Sequence, residues 1–259
     1  MGMDCLGDRM KDYESRNQYF LQRRTPVCIR VDMRAGHTFT RGFKRPFDEM
    51  FGNAMVRTME YCAKNIGNCV FAYCQSDEIT FILVDYEKLE TDAWFSYRTD
   101  KLCSISASMA TMAFNKYFYE NAYQVRPDDV RLPDHEEAIY KSILYKAAEK
   151  GAMFDARVFN IPKEEVCNLI YWRQLDATRN SIQMVGQANF SHSELQGCSC
   201  SVIQDMLHEQ KGINWNDFPT RWKRGTAWTR AGGVDFEMPI LKGDGRKYVD
   251  DVIYVGEGL

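Results

Sequence analysis

Apolar positions in the first third of the chain follow two different spacings. Pro26–Asp32 (PVCIRVD) is a β-branched apolar run that ends in a carboxylate, which predicts a buried strand with Asp32 at its end. In residues 47–66, apolar side chains recur every three to four positions, which predicts an amphipathic helix that stops at Gly67. A strand followed by a crossover helix is therefore expected.

A hairpin and a second helix are predicted next. Residues 69–73 and 79–85 are apolar, and the polar stretch QSDE between them is a hairpin signal that places Asp77 and Glu78 at the tip. Thr91 or Asp92 can cap a helix that runs to about Tyr119. Residues 153–161 (MFDARVFNI) then predict a further strand, after a charged, proline-containing connection at 124–137.

The resulting order is strand, helix, strand, strand, helix, strand. This order predicts an α+β fold with a ferredoxin-like antiparallel sheet of the polymerase-palm type. From residue 163 onward the spacing becomes helical, at 164–182 and 193–209. We expect a palm-like catalytic region at 1–162 and a helical C-terminal half at 163–259, packed together as one compact unit.

Composition narrows the protein class more than the function. With 45% hydrophobic and 13% aromatic residues the chain can bury a sizeable core, and its apolar runs are too short to cross a membrane. Nine cysteines scattered through predicted strands and helices indicate reduced thiols, and no secretory signal pattern is visible. A cytoplasmic protein is expected. The net charge of −3 leaves any nucleic-acid partner to local basic patches.

The predicted strand ends bring carboxylates together. Asp32 ends the first strand, and Asp77 with Glu78 turns the neighbouring hairpin. Magnesium prefers oxygen ligands, so Asp32 and Asp77 are candidates to bridge two ions, with the Met33 carbonyl as an additional ligand. The alternative is that these are ordinary acidic residues of surface turns.

Cations surround the turn that follows Asp32. His37, Arg41, Lys44 and Arg45 lie in a glycine-containing segment before a helix, where a triphosphate can be held. Arg98 and Lys101 lie three residues apart in the second predicted helix and add two cations. A solvated basic surface is the alternative interpretation.

Four short motifs carry a resemblance to a known family. IRVD (29–32) followed by His37, QSDEITF (75–81), YWRQLD (171–176) and RGT (224–226) occur in the order found in the tRNA-His guanylyltransferase superfamily. The stretches LETDAWF (89–95) and SASMATMAFNK (106–116) resemble in particular its guanylyltransferase-like branch. The resemblance spans most of the chain.

The resemblance implies catalysis by two magnesium ions on Asp32 and Asp77, aided by the Met33 carbonyl and Glu78. It also implies that ATP, GTP or another nucleoside triphosphate is held by a set of seven side chains: His37, Lys44, Arg45, Asp48, Ser76, Arg98 and Lys101. Position 33 is methionine where the family usually has glycine, but only a backbone oxygen is needed there. Members usually form tetramers.

The implied reaction is nucleotide addition to the 5' end of a tRNA in the 3' to 5' direction. A 5' triphosphate, or a 5' end adenylylated by ATP, is attacked by the 3' hydroxyl of an incoming nucleotide, which a template base selects. Thr178 stands where eukaryotic relatives carry a histidine used to mature tRNA-His. We therefore expect template-dependent repair of 5'-truncated tRNA, with dedicated guanosine addition to tRNA-His as the alternative.

Candidate RNA contacts lie in the second half of the chain. They are Arg157, Arg173, Arg179, Asn180 and Arg224, the last within RWKRGTAWTR (221–230), where cations and tryptophans interleave. Trp222 and Trp228 serve equally well as core or interface anchors. A zinc site at His192, Cys198 and Cys200 is rejected, because the paired CxxC spacing is absent.

Two other functions fit the same carboxylates. A palm-type nucleotidyl cyclase would act on free nucleotides without RNA. A non-catalytic tRNA-binding module is less consistent, because a binder of polyanionic RNA has no reason to gather Asp32, Asp77 and Glu78 unless a metal neutralises them.

Overall fold

The computed structural model describes residues 5–123 and 135–255. Six strands form one antiparallel sheet: β1 (Val27–Met33), β2 (Cys69–Gln75), β3 (Glu78–Leu83), β4 (Phe154–Asn160), β5 (Thr226–Thr229) and β6 (Gly233–Asp235). Their order across the sheet is β4-β1-β3-β2-β5-β6. The α+β class and the antiparallel palm-like sheet are confirmed.

Ten α-helices accompany the sheet in residues 5–123 and 135–255. They are α1 (Cys5–Ser15), α2 (Gly36–Phe39), α3 (Glu49–Asn65), α4 (Thr99–Tyr123), α5 (His135–Lys150), α6 (Lys163–Asn189), α7 (His192–Leu195), α8 (Cys200–Lys211), α9 (Thr220–Arg224) and α10 (Lys247–Ile253). None of the helices in residues 5–123 and 135–255 combines the length and apolar character needed to cross a bilayer.

Strand alternation sends side chains of β1 to two separate cores. On one face Ile29 and Val31 pack with Met55 of α3 and Phe114 of α4. On the opposite face Cys28 belongs to a second buried cluster with side chains of α6 and α10, and that cluster includes Ile82, Val166, Ile170, Val249 and Ile253. The helical segment after residue 163 is therefore required to cover one face of the palm sheet.

Two strands in the second half of the chain were not predicted from the sequence pattern. β5 pairs with β2, and β6 pairs with β5, so the segment 226–235 extends the sheet. Each strand is only four or three residues long, too short to show an alternation of its own. Trp228 of β5 is 4% exposed and belongs to the core, which confirms the anchor interpretation for this tryptophan.

The predicted start of the second helix was wrong. α4 begins at Thr99, because a 3₁₀ turn at Trp94–Tyr97 precedes it and Phe95, Ser96 and Tyr97 all have positive φ. Helix α5 was not predicted, and its first three residues had been assigned to the exposed connection at 124–137. The remainder of that connection, 124–134, lies outside the described residues.

Candidate active site

Three carboxylates lie at one level of the sheet, at the end of β1. Asp32 is directly opposite Glu78 of β3 and Asp155 of β4, and residues paired in this way project from the same face. Asp77 forms the adjoining turn, where the Met33 amide donates to the Asp77 carbonyl over 3.1 Å. The juxtaposition predicted from strand ends is therefore present, and Asp155 joins it.

The turn geometry directs Asp77 toward the loop after β1. Ser76 has a φ of +50°, a left-handed conformation that only a tight turn imposes on a serine. The Asp77 carboxylate lies against the backbone of Gly36, at a point where any side chain on residue 36 would collide with it. Glycine at this position thus allows the carboxylate to approach the start of α2.

Negative charge accumulates at this edge. Burial, then the charges of Asp77, Glu78 and Asp155, raise the pKa of Asp32 to about 6, while Arg157 acts in the opposite direction. Within residues 5–123 and 135–255, neither Asp32 nor Asp77 forms an ion pair. Negatively charged oxygen ligands that lie close together are the ligands that a hard divalent cation such as magnesium binds.

The protein alone supplies an incomplete ligand set. Nowhere in the described part of the chain do three His, Cys, Asp or Glu side chains converge into a ready metal site. Magnesium commonly completes its shell with water and substrate phosphates, so two carboxylates and a backbone carbonyl fit such an ion.

Glu78 is held by arginines rather than left free. Its side chain is buried, and Oε1 lies 2.8 Å from Arg173 Nε and 3.5 Å from Arg30 Nε. Arg173 also pairs with Asp176 at 3.1 Å. Glu78, a predicted catalytic residue, and Arg173, a predicted RNA contact, therefore join the sheet to α6.

A cleft of about 380 Å³ opens beside the carboxylates. Six of the side chains predicted to act on metal or nucleotide line it together: His37, Lys44, Arg45, Asp48, Ser76 and Asp77. Arg41, the remaining cation of the loop, lines it as well. The basic loop and an acidic residue of the hairpin thus share one cavity, although Lys44 and Asp77 are far apart in sequence.

Asp48 organises the wall of this cleft. The side chain is 7% exposed and caps α3 by accepting from the Phe51 amide at 3.0 Å. Its other oxygen accepts from the Lys44 amide at 3.0 Å and from the Tyr140 hydroxyl at 2.7 Å. Asp48 therefore lines the cleft while its oxygens hold the basic loop in place.

Tyr140 supports the wall of the cleft from behind through Asp48, and sequence reasoning missed it. Burial, followed by the hydrogen bond to Asp48, raises the pKa of Tyr140 above its ordinary value, so the hydroxyl stays protonated and donates. Its ring faces Lys44, whose Nζ lies 4.6 Å from the ring centre. The apolar spacing of residues 135–150 could have indicated the helix, but not this contact.

Arg98 and Lys101 lie at the opposite end of the sheet from Asp32. Arg98 precedes α4 and pairs with Asp100 at 2.8 Å. The Thr99 amide donates to the Tyr19 carbonyl, in the N-terminal segment that leads to the start of β1. Because Asp32 is near the other end of β1, the structure does not bring these two cations to the cleft.

The predicted RNA contacts differ in accessibility. Arg157 and Arg179 expose 60% and 62% of their side chains. Asn180 donates weakly to Asp176 at 3.4 Å, and Arg224 is only partly exposed, with its carbonyl accepting from Tyr73 at 2.6 Å. Arg157 and Arg179 are therefore the two most accessible of the five.

The chain matches a known family and solved structures of related proteins. A family model described as tRNAHis guanylyltransferase matches residues 7–162, more than half of the chain. An uncharacterized protein of Acanthamoeba polyphaga mimivirus is 29% identical over 231 residues, which cover 85% of this chain and 75% of that protein.

Two solved structures resemble the chain over nearly its whole length. One is a bacterial tRNA(His) guanylyltransferase-like protein in complex with ATP, with a TM-score of 0.83, 40% identity, and coverage of 96% of this chain and 100% of the other. The second is a bacterial protein of the same description in complex with GTP, with a TM-score of 0.76, 36% identity, and coverage of 97% and 100%.

Proposed function

Because the chain belongs to the tRNAHis guanylyltransferase family, we propose that it adds nucleotides to the 5' end of tRNA in the 3' to 5' direction. The chain is a nucleotidyltransferase of this family, and its proposed task is template-dependent repair of 5'-truncated tRNA. One observation carries the proposal: the acidic edge at Asp32 and Asp77 adjoins a cleft lined by His37, Lys44 and Arg45.

Asp32, Asp77 and the Met33 carbonyl would hold two magnesium ions. The pKa of Asp32 is raised first by burial and then by the neighbouring negative charges, and a bound cation would relieve that repulsion. When bound, such ions supply charge neutralisation at the reacting phosphate and activation of the attacking hydroxyl. This role leaves Asp32 and Asp77 as the residues whose loss is most costly to the reaction.

The remaining residues of the cleft bind and orient the triphosphate. His37, Lys44 and Arg45 would neutralise phosphate oxygens, and Asp48 keeps the loop in position. The incoming 3' hydroxyl attacks phosphorus at the activated RNA 5' end; a new P–O bond forms and the bond to pyrophosphate or AMP breaks. The ATP and GTP complexes of the bacterial relatives support nucleoside triphosphates as substrates.

Repair is favoured over dedicated guanosine addition by a residue in α6. Thr178 stands where eukaryotic relatives have a histidine for tRNA-His maturation, so that specialised recognition is lacking at this position. Pairing with a template base would then select the nucleotide, and the protein need not read sequence. We further propose that the enzyme acts as a homotetramer, which would have about four times the chain mass of 30.1 kDa in light scattering.

The test uses 3'-labelled tRNA that lacks one or two 5' nucleotides, beside full-length tRNA-His. Magnesium and each nucleoside triphosphate are supplied. We expect extension of the truncated RNA that stops at a complete acceptor stem. Asp77→Asn should slow extension at least about 100-fold because a metal ligand is lost, whereas Asp205→Asn, an exposed residue of α8, should leave the rate unchanged.

Three other outcomes each reject this assignment in a different way. Addition to full-length tRNA-His alone would identify dedicated guanosine addition. Magnesium-dependent conversion of free nucleotides without RNA would identify a cyclase. Binding of tRNA with no turnover under any of these conditions would identify a non-catalytic tRNA-binding protein.

A further inference from the structure

Trp172 on α6 is the most exposed of the five tryptophans, with 54% of its surface open to solvent. We propose that its indole ring is a platform on which an unpaired base of the RNA substrate stacks, while the neighbouring Arg157 contacts a phosphate. The proposal rests on the proposed function, because a tRNA that lacks 5' nucleotides leaves bases of its opposite strand unpaired. Proteins that bind single-stranded RNA commonly stack unpaired bases on aromatic side chains.

Two arginines hold the Trp172 ring in place before any ligand binds. The guanidinium carbons of Arg173 and Arg30 lie 4.7 Å and 5.5 Å from the ring centroid. Both arginines are largely buried and pair with Glu78, so they form a fixed support. An aromatic ring that is already held in place loses little side-chain entropy when a base stacks on it. Trp172 is therefore preorganised for stacking, and more than half of its surface remains available.

Trp172 lies close to the acidic edge. Arg30, which it contacts, precedes Asp32 by two positions on β1, so these two side chains project from the same face, about 7 Å apart along the strand. Arg30 is also opposite Arg157 of the edge strand β4. An acceptor end with an unpaired base on Trp172 therefore has its 5' terminus within reach of Asp32, and the exposed Arg157 is available to a phosphate.

Helix α6 continues this surface toward the cleft. Arg179 follows Trp172 by nearly two turns, which places both residues on one side of the helix, about 10 Å apart. Arg179 is exposed, and further along the same helix Met184 and Gln187 line the cleft. A stacking ring followed by an exposed cation is an arrangement that single-stranded nucleic acids bind. This arrangement leads from Trp172 to the cavity proposed to hold the triphosphate.

Arginines outnumber carboxylates on this surface. The arginines are Arg30, Arg157, Arg173 and Arg179, and the carboxylates paired with them are Glu78, Asp155 and Asp176. A surplus of positive charge attracts a polyanion. In a symmetric contact between two copies of the chain, the same surplus would face itself. RNA therefore fits this surface better than a second copy does.

The test measures the binding of two labelled hairpin RNAs by fluorescence anisotropy, in magnesium and without nucleotide. One is an acceptor stem that lacks two 5' nucleotides, so that its 3' strand is unpaired, and the other is the same stem made blunt by removal of the unpaired nucleotides. Trp172→Leu should raise the Kd of the first RNA at least about fivefold and leave that of the blunt stem unchanged. Trp172→Phe keeps a ring and should change either Kd less than about twofold. Tyr19→Leu removes an exposed ring at the far end of the sheet and should change neither Kd.

The fluorescence of the indole gives a second readout, which a purely structural role would not produce. Stacking on a base quenches the emission of an exposed tryptophan, so the RNA with unpaired bases should quench the wild type more than the blunt stem does. Trp172→Phe should lose most of this difference although it still binds the RNA. Thermal unfolding verifies that the variants are folded, and the quenching measurement tests the proposal independently if Trp172→Leu unfolds.

Three results would overturn the inference. The first is wild-type affinity of folded Trp172→Leu for the RNA with unpaired bases. The second is equal weakening for both RNAs, which would indicate that Trp172 acts through the general structure. The third is a lower molecular mass of Trp172→Leu in light scattering, which would assign Trp172 to a contact between copies of the chain.

The outcome for Trp172 is separable from the outcome for the proposed function. Extension of truncated tRNA by the wild type, together with unchanged RNA affinity of Trp172→Leu, would reject the platform alone. Binding of the unpaired RNA that depends on Trp172, without any extension, would contradict the proposed function and retain the platform.

Discussion

At the scale of single residues, Asp32 shows a conflict between folding and chemistry. Its pKa is raised from 3.8 to about 6, chiefly by burial and then by Asp77. The folded state therefore binds a proton more tightly than the unfolded state does. It follows that stability falls as the pH rises from about 3.8 to about 6, and that charged Asp32 destabilises the metal-free protein at neutral pH.

Asp32→Asn should therefore stabilise the metal-free protein while it abolishes activity. After allowance for solvent screening of this half-buried side chain, we expect a gain of about 1 kcal/mol at pH 7.5, or about 2–4 °C in Tm. The gain should shrink as the pH is lowered from about 6 toward about 3.8. Thermal scans in EDTA measure it, with Asp205→Asn as the control for removal of an exposed carboxylate.

Magnesium supplies a second readout for the same variant. If Asp32 is a metal ligand, magnesium should raise the Tm of the wild type and have a much smaller effect on Asp32→Asn. An equal rise in both proteins, or a loss of stability in Asp32→Asn without metal, would contradict this account of the residue.

Single residues of the site were predictable where a local pattern places them. Asp32 and Asp77 follow from the ends of apolar strands, because a strand end and a hairpin turn are both local features. The position of Asp155 beside Asp32 follows only from the pairing of β1 with β4. The contact between Tyr140 and Asp48 joins residues that are 92 positions apart. Pairings of this kind depend on tertiary packing, which no short window of sequence records.

At the scale of elements, α5 stabilises the basic loop through Tyr140. The hydroxyl donates to Asp48, which in turn accepts from the Lys44 amide. Tyr140→Phe keeps the ring under the Lys44 ammonium and removes only the hydrogen bond, which is worth about 1 kcal/mol. We expect KM for the nucleoside triphosphate to rise about fivefold with little change in kcat, since the loop is less well held before binding.

The matched control for this prediction is Tyr145→Phe on the same helix. The Tyr145 ring stacks on Tyr123 at 4.6 Å, and within the described residues its hydroxyl donates no hydrogen bond to Asp48 or the loop. Steady-state kinetics should leave KM unchanged in that variant. If both phenylalanine substitutions raise KM equally, α5 acts through its general packing and not through Tyr140.

Element boundaries were least predictable where tertiary contacts override local preference. The spacing of 91–119 is helical, but Gly67 packs on Trp94 and residues 95–97 take positive φ, so α4 starts later. This shift removes Arg98 from the helix. Arg98 and Lys101 were assigned to the nucleotide site because the family resemblance implies that role and because they are cations on one apparent helix face. However, α4 begins at the end of the sheet that is far from Asp32.

At the scale of the whole molecule, residues 163–255 pack on the palm sheet and extend it. Cys28 and Ile82 of the sheet share a buried cluster with Ile170 and Val249 from the later segment. Strand β5 adds to the sheet directly. We therefore propose that the two predicted regions, 1–162 and 163–259, unfold as one cooperative unit.

Glu78 is the polar link of that unit, and its neutralisation should destabilise the whole chain. Its pair with Arg173 is 11% exposed on both sides, so Glu78→Gln removes a buried counter-charge from two arginines. Arg30 then has no ion pair among the described residues, while Arg173 keeps only its pair with Asp176. We expect a loss of about 3 kcal/mol in urea unfolding, with a single transition retained. Glu87→Gln breaks the pair with Arg230, which is 39–48% exposed, and should cost less than about 1 kcal/mol.

The double variant Glu78→Gln with Arg173→Met separates a specific pair from a general loss of charge. Because it removes a buried cation together with its partner, it should recover part of the stability that Glu78→Gln alone loses. Equal losses for Glu78→Gln and Glu87→Gln would show that the buried pair does not join α6 to the sheet. Two separate unfolding transitions would show that the palm and the C-terminal segment are independent domains.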